Sequence, residues 1–126
     1  MSITRLHHAQ ITIPAGAEPE ARRFYCDLLG LAETEKPDSL KPRGGFWLQL
    51  GDVQIHLGTE PPEAPRSPKA HLAYQVDDLA RWKTHLAERG VPIKESIPIP
   101  GFNRFEFRDP FGNRIEFIQP LPPEQP

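Results

Sequence analysis

Four side chains of types that bind divalent metals occupy matching places in the two halves of the sequence. His8 and His56 belong to the first half, and His71 and Glu116 belong to the second. Imidazole nitrogens and carboxylate oxygens are the donors that Fe, Zn, Ni, Mn and Co accept, so the set predicts a metal site with coordination positions left for a substrate. Each residue taken singly is more simply a solvated strand residue.

The elements that carry these side chains repeat along the chain. The order strand, helix, strand, strand, strand occurs twice, with one helix running from near Pro19 to Gly30 and the other from about Asp78 to Gly90. VQIHLG aligns with NRIEFI at an offset of 60 residues, and LHHAQITI aligns with AHLAYQV at an offset of 63. We therefore predict a first module over residues 1–60, a proline-rich linker over 61–68, a second module over 69–120 and a proline-rich tail over 121–126.

Strand parity indicates that the four metal-competent side chains share one type of surface. Successive residues of a strand point to opposite faces of a sheet. All four then lie on the face turned away from the helices, whereas His7 points to the helix side and is interpreted as a core or edge residue. Five further side chains are predicted on the face turned away from the helices, namely Trp47, Gln49, Arg104, Glu106 and Arg108.

Composition excludes several classes of protein. The net charge is −2, and 15 basic and 17 acidic residues are spread without blocks, which argues against a nucleic-acid partner. The N-terminal residues lack the pattern of a secretory signal, and no run is long enough to span a membrane, so we expect a cytoplasmic location. The single cysteine, Cys26, cannot form an internal disulfide and is interpreted as a core residue.

The tandem repeat, His8 and His71 in the two opening strands, and the ending DPFGNRIEF with Glu116 resemble the vicinal oxygen chelate superfamily. This group includes glyoxalase I, bleomycin-binding resistance proteins and extradiol dioxygenases, and the resemblance covers roughly residues 3 to 119. It implies an α+β fold of two βαβββ modules with cupped mixed sheets. It also implies a homodimer, in which a site could be shared between two chains.

The resemblance also implies the roles of the four donors. His8, His71 and Glu116 match the three metal ligands of most metal-using members, and His56 would be a fourth ligand or a proton shuttle. His56 and Glu116 are therefore the candidate catalytic residues. Glyoxalase I usually has a glutamate where this chain has His56, and coordinated imidazole would be a weaker base. The metal would bind two neighbouring oxygens of a small-molecule substrate and stabilise an enolate-like or oxyanion state.

Four residues are candidates for substrate binding. Arg104 and Arg108, beside Phe102, could hold an anion at the mouth of the pocket or could be ordinary exposed strand arginines. Trp47 could form a wall of the pocket against His56, or it could pack at a dimer seam. Lys41 and Arg43 lie in the loop SLKPRGG and could close over an anionic ligand, although a solvated loop is the simpler interpretation.

Two further functions stay open. The favoured prediction is a metal-dependent, glyoxalase-like enzyme of lyase or isomerase type. One alternative is a metal-free protein that binds a drug or an aromatic ligand, as bleomycin-binding relatives do, and the other is a small extradiol-type dioxygenase.

Overall fold

The computed structural model describes residues 1–65 and 69–123, and the chain forms two compact units, Met1–Pro65 and Arg66–Pro126. Residues 66–68 of the predicted linker and 124–126 of the predicted tail lie outside the described residues. The first unit contains β1 (His8–Pro14), α1 (Glu18–Arg22), β2 (Ala32–Thr34), β3 (Phe46–Leu50) and β4 (Val53–Glu60). The second contains β5 (His71–Gln75), α2 (Leu79–Glu88), β6 (Ile93–Glu95), β7 (Phe102–Arg108) and β8 (Arg114–Pro120).

Each unit has one four-stranded mixed sheet, which confirms the predicted α+β fold of two βαβββ modules. The strand order is β1-β4-β3-β2 in the first sheet and β5-β8-β7-β6 in the second. In both sheets the first strand of the module lies at one edge and pairs in parallel with the last strand of the module. The other strand pairs are antiparallel. The first and last strands of each module are therefore neighbours, although 38 residues lie between them in sequence, 15–52 in the first unit and 76–113 in the second.

The core of each unit lies between its helix and one face of its sheet. In the first unit Phe46, Leu48, Ile55 and Leu57 are buried on β3 and β4, and Ala21, Phe24, Tyr25 and Leu29 are buried on the helical segment. In the second unit Trp82 of α2 contacts Phe117 with ring centroids 5.1 Å apart, and Phe105, Phe107 and Ile115 are also buried. This alternation leaves the opposite face of each sheet to polar side chains, as strand parity predicts.

The first helix differs in detail from the prediction. It is α-helical only over Glu18–Arg22 and continues as a π-helical segment, Arg23–Leu28, in which Leu29 N–H donates to the Phe24 carbonyl at 3.0 Å. The apolar spacing of so short a segment does not distinguish the two helix types, because their periods differ little over six residues.

A short loop carries a 3₁₀ helix (Asp38–Arg43) close to β4. Gly45 permits this approach, because its φ is +78° and a Cβ atom there would lie 2.0 Å from the Leu57 carbonyl oxygen. Any other residue would displace the loop from β4.

In the part of the chain that the structure describes, no helix is both long and apolar enough to cross a membrane.

Candidate functional site

The backbone register shows that the four predicted donors occupy equivalent positions in the two units. His8 of β1 is paired with Gln54, two residues before His56 in β4. His71 of β5 is paired with Arg114, two residues before Glu116 in β8. Each unit therefore places one residue of the first strand diagonally beside one residue of the last strand, on the polar face of its sheet.

In the first unit His56 is enclosed between two aromatic rings. The Trp47 ring is stacked on it with centroids 3.8 Å apart, and the His8 ring is stacked on it at 4.1 Å. His56 is only 5% exposed as a result. Trp47 is its direct partner in the antiparallel ladder, so β3 supplies the covering ring. Within this unit Trp47 thus lies against His56.

Hydrogen bonds fix the orientation of the His56 ring. Its Nε2 lies 2.9 Å from Gln54 Oε1, and the Gln54 amide in turn donates to Gln49 Oε1 at 3.1 Å. Because an amide oxygen only accepts, Nε2 carries the proton and Nδ1 keeps its lone pair. Burial, with smaller electrostatic contributions from His8, His7 and Lys36, lowers the pKa of His56 to about 4. His56 is therefore a neutral imidazole near neutral pH.

His7 does not lie on the helix side or in the core, so this part of the prediction is wrong, whereas the alternative of an edge residue agrees with its place beside the edge strand β1. The residue is exposed, and its Nδ1 lies 3.0 Å from His8 Nδ1, so one of these nitrogens donates to the other. The His7 side chain reaches the cavity although its carbonyl accepts from the Gln54 N–H of β4 at 3.4 Å. The alternation of faces that holds along β1 therefore does not extend to the residue before it.

A cavity of about 390 Å³ lies over this polar face. It is lined on one side by strand residues and on the other by residues between β2 and β3, and its lining comprises His7, His8, Gln10, Lys36, Leu40, Arg43, Gly44, Trp47, His56, Leu57, Gly58 and Thr59. A volume of this size is in the range of small-molecule sites. The lining contains four rings, those of His7, His8, His56 and Trp47, and two cationic side chains, Lys36 and Arg43.

In the second unit the polar face is an ionic network. Glu116 is 5% exposed, and Arg104 Nη1 donates to its Oε1 at 3.1 Å. The residue directly opposite Glu116 is Glu106, which forms a short ion pair with Arg114. Each of the two facing carboxylates is thus neutralised by one arginine, which offsets the cost of burying charge.

His71 is oriented toward Glu116. Its Nδ1 lies 2.9 Å from the Lys69 carbonyl oxygen, which only accepts, so Nδ1 carries a proton. Nε2 then faces Glu116 Oε1 at 3.4 Å. Two donors bound about 2.1 Å from a tetrahedral metal lie about 3.4 Å apart, so the pair has the spacing of two metal ligands. Protonation of Nε2 would also satisfy the contact, as an ion pair.

The other predicted binding residues of the second unit are not free at the polar face. Arg104 donates through Nε and Nη2 to the Ile97 carbonyl as well as to Glu116, and its side chain is 21% exposed. Arg108 donates to the Gly112 carbonyl at 3.1 Å. Phe102 is 38% exposed and bridges to Ile99. The structure therefore assigns both arginines structural contacts that the sequence did not indicate.

The DPFGN segment before β8 is a structural turn. Asp109 is buried and accepts from the backbone N–H groups of Phe111 at 2.9 Å and Asn113 at 2.8 Å, and its other oxygen accepts from the Asn113 side chain. These bonds hold the turn that leads into β8 and thereby set the register of Glu116. The motif residues act on the site through the backbone.

Each unit supplies a pair of ligand-type side chains. Over residues 1–65 and 69–123 no group of three or more histidine, cysteine, aspartate or glutamate side chains is placed to hold one metal ion. The donor chemistry fits a divalent metal, but catalytic sites usually use three protein ligands. The pair in either unit is by itself smaller than such a ligand set.

A comparison of the sequence with protein families settles the family. The sequence profile of the Glyoxalase/Bleomycin resistance protein/Dioxygenase superfamily matches residues 5–117. The chain belongs to this superfamily. Membership confirms the resemblance inferred from the repeat and from the DPFGNRIEF ending, and the superfamily contains proteins of several activities. No curated protein sequence matches the chain.

Solved structures of similar fold include a protein assigned to the glyoxalase family and proteins with other described functions. A crystal structure from Bacillus anthracis assigned to the glyoxalase family is 37% identical, with a TM-score of 0.90 over 96% of this chain and 98% of that one. TnmS3, an antibiotic binding protein from Streptomyces sp. CB03234, is 24% identical, with a TM-score of 0.73 over 96% and 99%. A lactoylglutathione lyase from Agrobacterium tumefaciens is 19% identical, with a TM-score of 0.71 over 94% and 96%. The last two show the fold alone.

Proposed function

We propose that this protein is a divalent-metal-dependent, glyoxalase-like enzyme of lyase or isomerase type. Its substrate is a small molecule that chelates the metal through two neighbouring oxygens. The observation that supports the proposal most is the contact between His71 Nε2 and Glu116 Oε1, at the spacing of two metal ligands and with the His71 tautomer set by Lys69. The pair of His8 and His56 at the equivalent register positions supplies two more nitrogen donors.

The roles of the side chains follow from their surroundings. A bound metal would polarise the two substrate oxygens as a Lewis acid. His56 is neutral near neutral pH, so it has a lone pair with which to bind the metal or to accept a proton from the substrate. Trp47 excludes water from one face of His56, which keeps the ring neutral. Arg104 holds the Glu116 carboxylate in one orientation.

Metal analysis of the full chain, purified without chelator, tests the proposal. The expected result is about one Fe, Zn, Ni, Mn or Co ion for each complete set of four donors. Glu116→Gln and His71→Ala variants should lose the metal, whereas His85→Ala, a histidine on α2, should keep it. The metal at 100 times its dissociation constant should raise the melting temperature by roughly 10 °C. Metal content well below one ion per chain, with no thermal shift from any of these ions, would reject the proposal.

We also propose that the protein is a homodimer, and mixing of variants shows whether the sites form within or between chains. His8→Ala chains and Glu116→Gln chains each lack one donor. If a site combines the first unit of one chain with the second unit of the other, each mixed dimer regains one intact site. If all four donors come from the same chain, the mixture binds no more metal than its components.

A second candidate is metal-free binding of an aromatic or drug-like ligand. The cavity of the first unit favours it, because Trp47, Leu40 and Leu57 supply an apolar lining without any need for the second unit. Tight binding of an aromatic ligand that is unchanged by chelator and by the Glu116→Gln substitution would favour this candidate over the enzyme.

A further inference from the structure

The two cations that line the cavity of the first unit have no role in the metal site. Lys36 and Arg43 lie on the stretch between β2 and β3 and line the cavity opposite the histidines. No aspartate or glutamate is among the described lining residues. The nearby carboxylate of Glu18 accepts from the Gly45 N–H at 3.3 Å and is not part of the lining. The cavity therefore has positive charge without an internal counterion.

Arg43 is the cation best placed for a ligand. Its side chain is exposed, and within the described part of the chain its guanidinium has no hydrogen bond or ion pair. Its backbone carbonyl accepts from Thr59 Oγ1 at 3.2 Å, so the residue is tied to β4 while its charged group stays available. Lys41, two residues earlier on the same 3₁₀ helix, is instead paired with Glu35 and Asp38.

Lys36 is held beside the cavity by the same loop. Its Nζ donates to the Gly44 carbonyl at 2.6 Å, which leaves two of its three protons for other acceptors. Its charge also acts on the His56 ring. The ammonium group is thus close to the polar face of the sheet, on the side of the cavity that Arg43 extends.

We propose that Lys36 and Arg43 form an anion-recognition site, so that the ligand of this cavity is a small organic anion with a carboxylate or phosphate group. The anionic group lies at these two cations while the rest of the molecule extends toward His8, His56 and Trp47. The inference deepens the proposed function by naming the charge class of the substrate, and it rests on that function for the role of the histidines. Paired cations recognise carboxylates and phosphates through charge-assisted hydrogen bonds.

Fluorescence titration of Trp47 tests the inference. The chain has two tryptophans, so a Trp82→Phe background leaves Trp47 as the reporter. The first probe pair is mandelate and mandelamide, which have similar shapes and neighbouring oxygens and differ in charge. The second probe is inorganic phosphate. Mandelate should bind about tenfold more tightly than mandelamide, and added salt should weaken the binding of mandelate more.

Substitution of the cations identifies the group responsible. Arg43→Gln should weaken mandelate or phosphate binding about tenfold and mandelamide binding less than twofold. Arg43→Lys should retain most of the affinity, and Lys36→Met should lower it. Arg23→Gln is the matched control, because it removes the same charge from an exposed position on the helical segment. If Arg43→Gln changes anion binding no more than Arg23→Gln does, or if neither anion binds, the inference is wrong.

Titrations with chelator and with added Mn²⁺ separate this inference from the metal proposal. Arg43-dependent anion binding in chelator, from a chain that takes up no metal, would support the anion site and reject the metal function. Metal uptake that depends on His71, together with anion binding that is insensitive to Arg43, would reject the anion site and leave the metal function in place.

Discussion

The polar faces of the two sheets occupy equivalent positions but have opposite chemistry. In the first unit the residue facing His56 across the ladder is Trp47, and the surrounding side chains are stacked rings and amides. In the second unit the residue facing Glu116 is Glu106, and the surrounding side chains are arginines. The same scaffold therefore holds a neutral imidazole in one unit and a carboxyl group paired with an arginine in the other.

This difference shows which part of a duplicated fold decides whether a candidate metal ligand is desolvated or paired with a cation. The parallel pairing of the first and last strands fixes where each donor lies, and it is the same in both units. The neighbouring antiparallel strand decides whether that donor is desolvated by a ring or neutralised by a cation. Substitutions on β3 and β7 should therefore change the state of a donor without moving it.

The largest effect is expected when Arg104 is replaced by leucine. Of the two facing carboxylates, Glu106 would keep Arg114, but Glu116 would lose its arginine and keep only the longer contact with His71. Removal of one member of a mostly buried ion pair leaves the other uncompensated, so the free energy of unfolding should fall by about 3 kcal/mol. Urea denaturation near neutral pH measures this change.

A matched variant shows whether the loss comes from the ionic network. Arg108→Leu removes an exposed arginine that donates to the Gly112 carbonyl and should cost about 1 kcal/mol or less. Adding Glu116→Gln to Arg104→Leu should restore a large part of the lost stability. Equal losses in the two arginine variants would contradict the description of the second face as an ionic network.

The next effect is the pH dependence of the free energy of unfolding that His56 of the first unit contributes. His56 has a pKa of about 4 in the folded chain and the ordinary value near 6.5 when unfolded. Between these values the unfolded chain binds a proton that the folded chain does not, so stability falls as the pH decreases. The slope is at most about 1.4 kcal/mol for each pH unit.

Denaturation of the native chain and of His56→Gln from pH 7 to pH 4 measures this contribution. The native chain should lose more stability than the variant, and NMR titration of the His56 ring should give its low pKa directly. His85→Gln, on α2, serves as the control and should keep the pH dependence of the native chain. Identical pH dependence in the native chain and in His56→Gln would show that His56 is not desolvated.

A smaller effect is expected from Trp47→Leu. The substitution removes the ring stacked on His56 and should lower the free energy of unfolding by about 1.5 kcal/mol. Water would then reach the imidazole, so the pKa of His56 should rise toward 6.5. Trp82→Leu is the control, because Trp82 packs on Phe117 in the other unit and should change stability without moving the pKa of His56. An unchanged pKa in Trp47→Leu would mean that the indole does not keep His56 neutral.

The smallest effect should come from Gln54→Leu, which removes the acceptor for His56 Nε2–H. The expected cost is about 1 kcal/mol. The proton should then redistribute between the two ring nitrogens, which ¹⁵N NMR detects. Gln49→Leu is the comparison, because Gln49 contacts Gln54 and has no hydrogen bond to His56. A tautomer population unchanged in Gln54→Leu would show that the amide does not set the ring's orientation.

Much of this arrangement was predictable from the sequence, because it depends on periodicity. Alternation in VQIHLG and NRIEFI assigned His56 and Glu116 to the polar faces, and the offsets of 60 and 63 residues paired them with His8 and His71. Periodicity assigned the His7 side chain to the wrong face, at the residue before β1. It could not place Arg43, which belongs to a 3₁₀ helix that has no strand parity.

The sequence by itself determined the repeat, the faces of the strands and the identity of the donors, because side-chain alternation and turn residues are local properties. Only the tertiary structure decided what surrounds each donor. The stacking of Trp47 on His56, the pairing of Arg104 with Glu116 and the approach of Arg43 to the cavity all join residues on different elements. The physical reason is that desolvation and charge pairing depend on distance in space, and strand register and loop position set that distance.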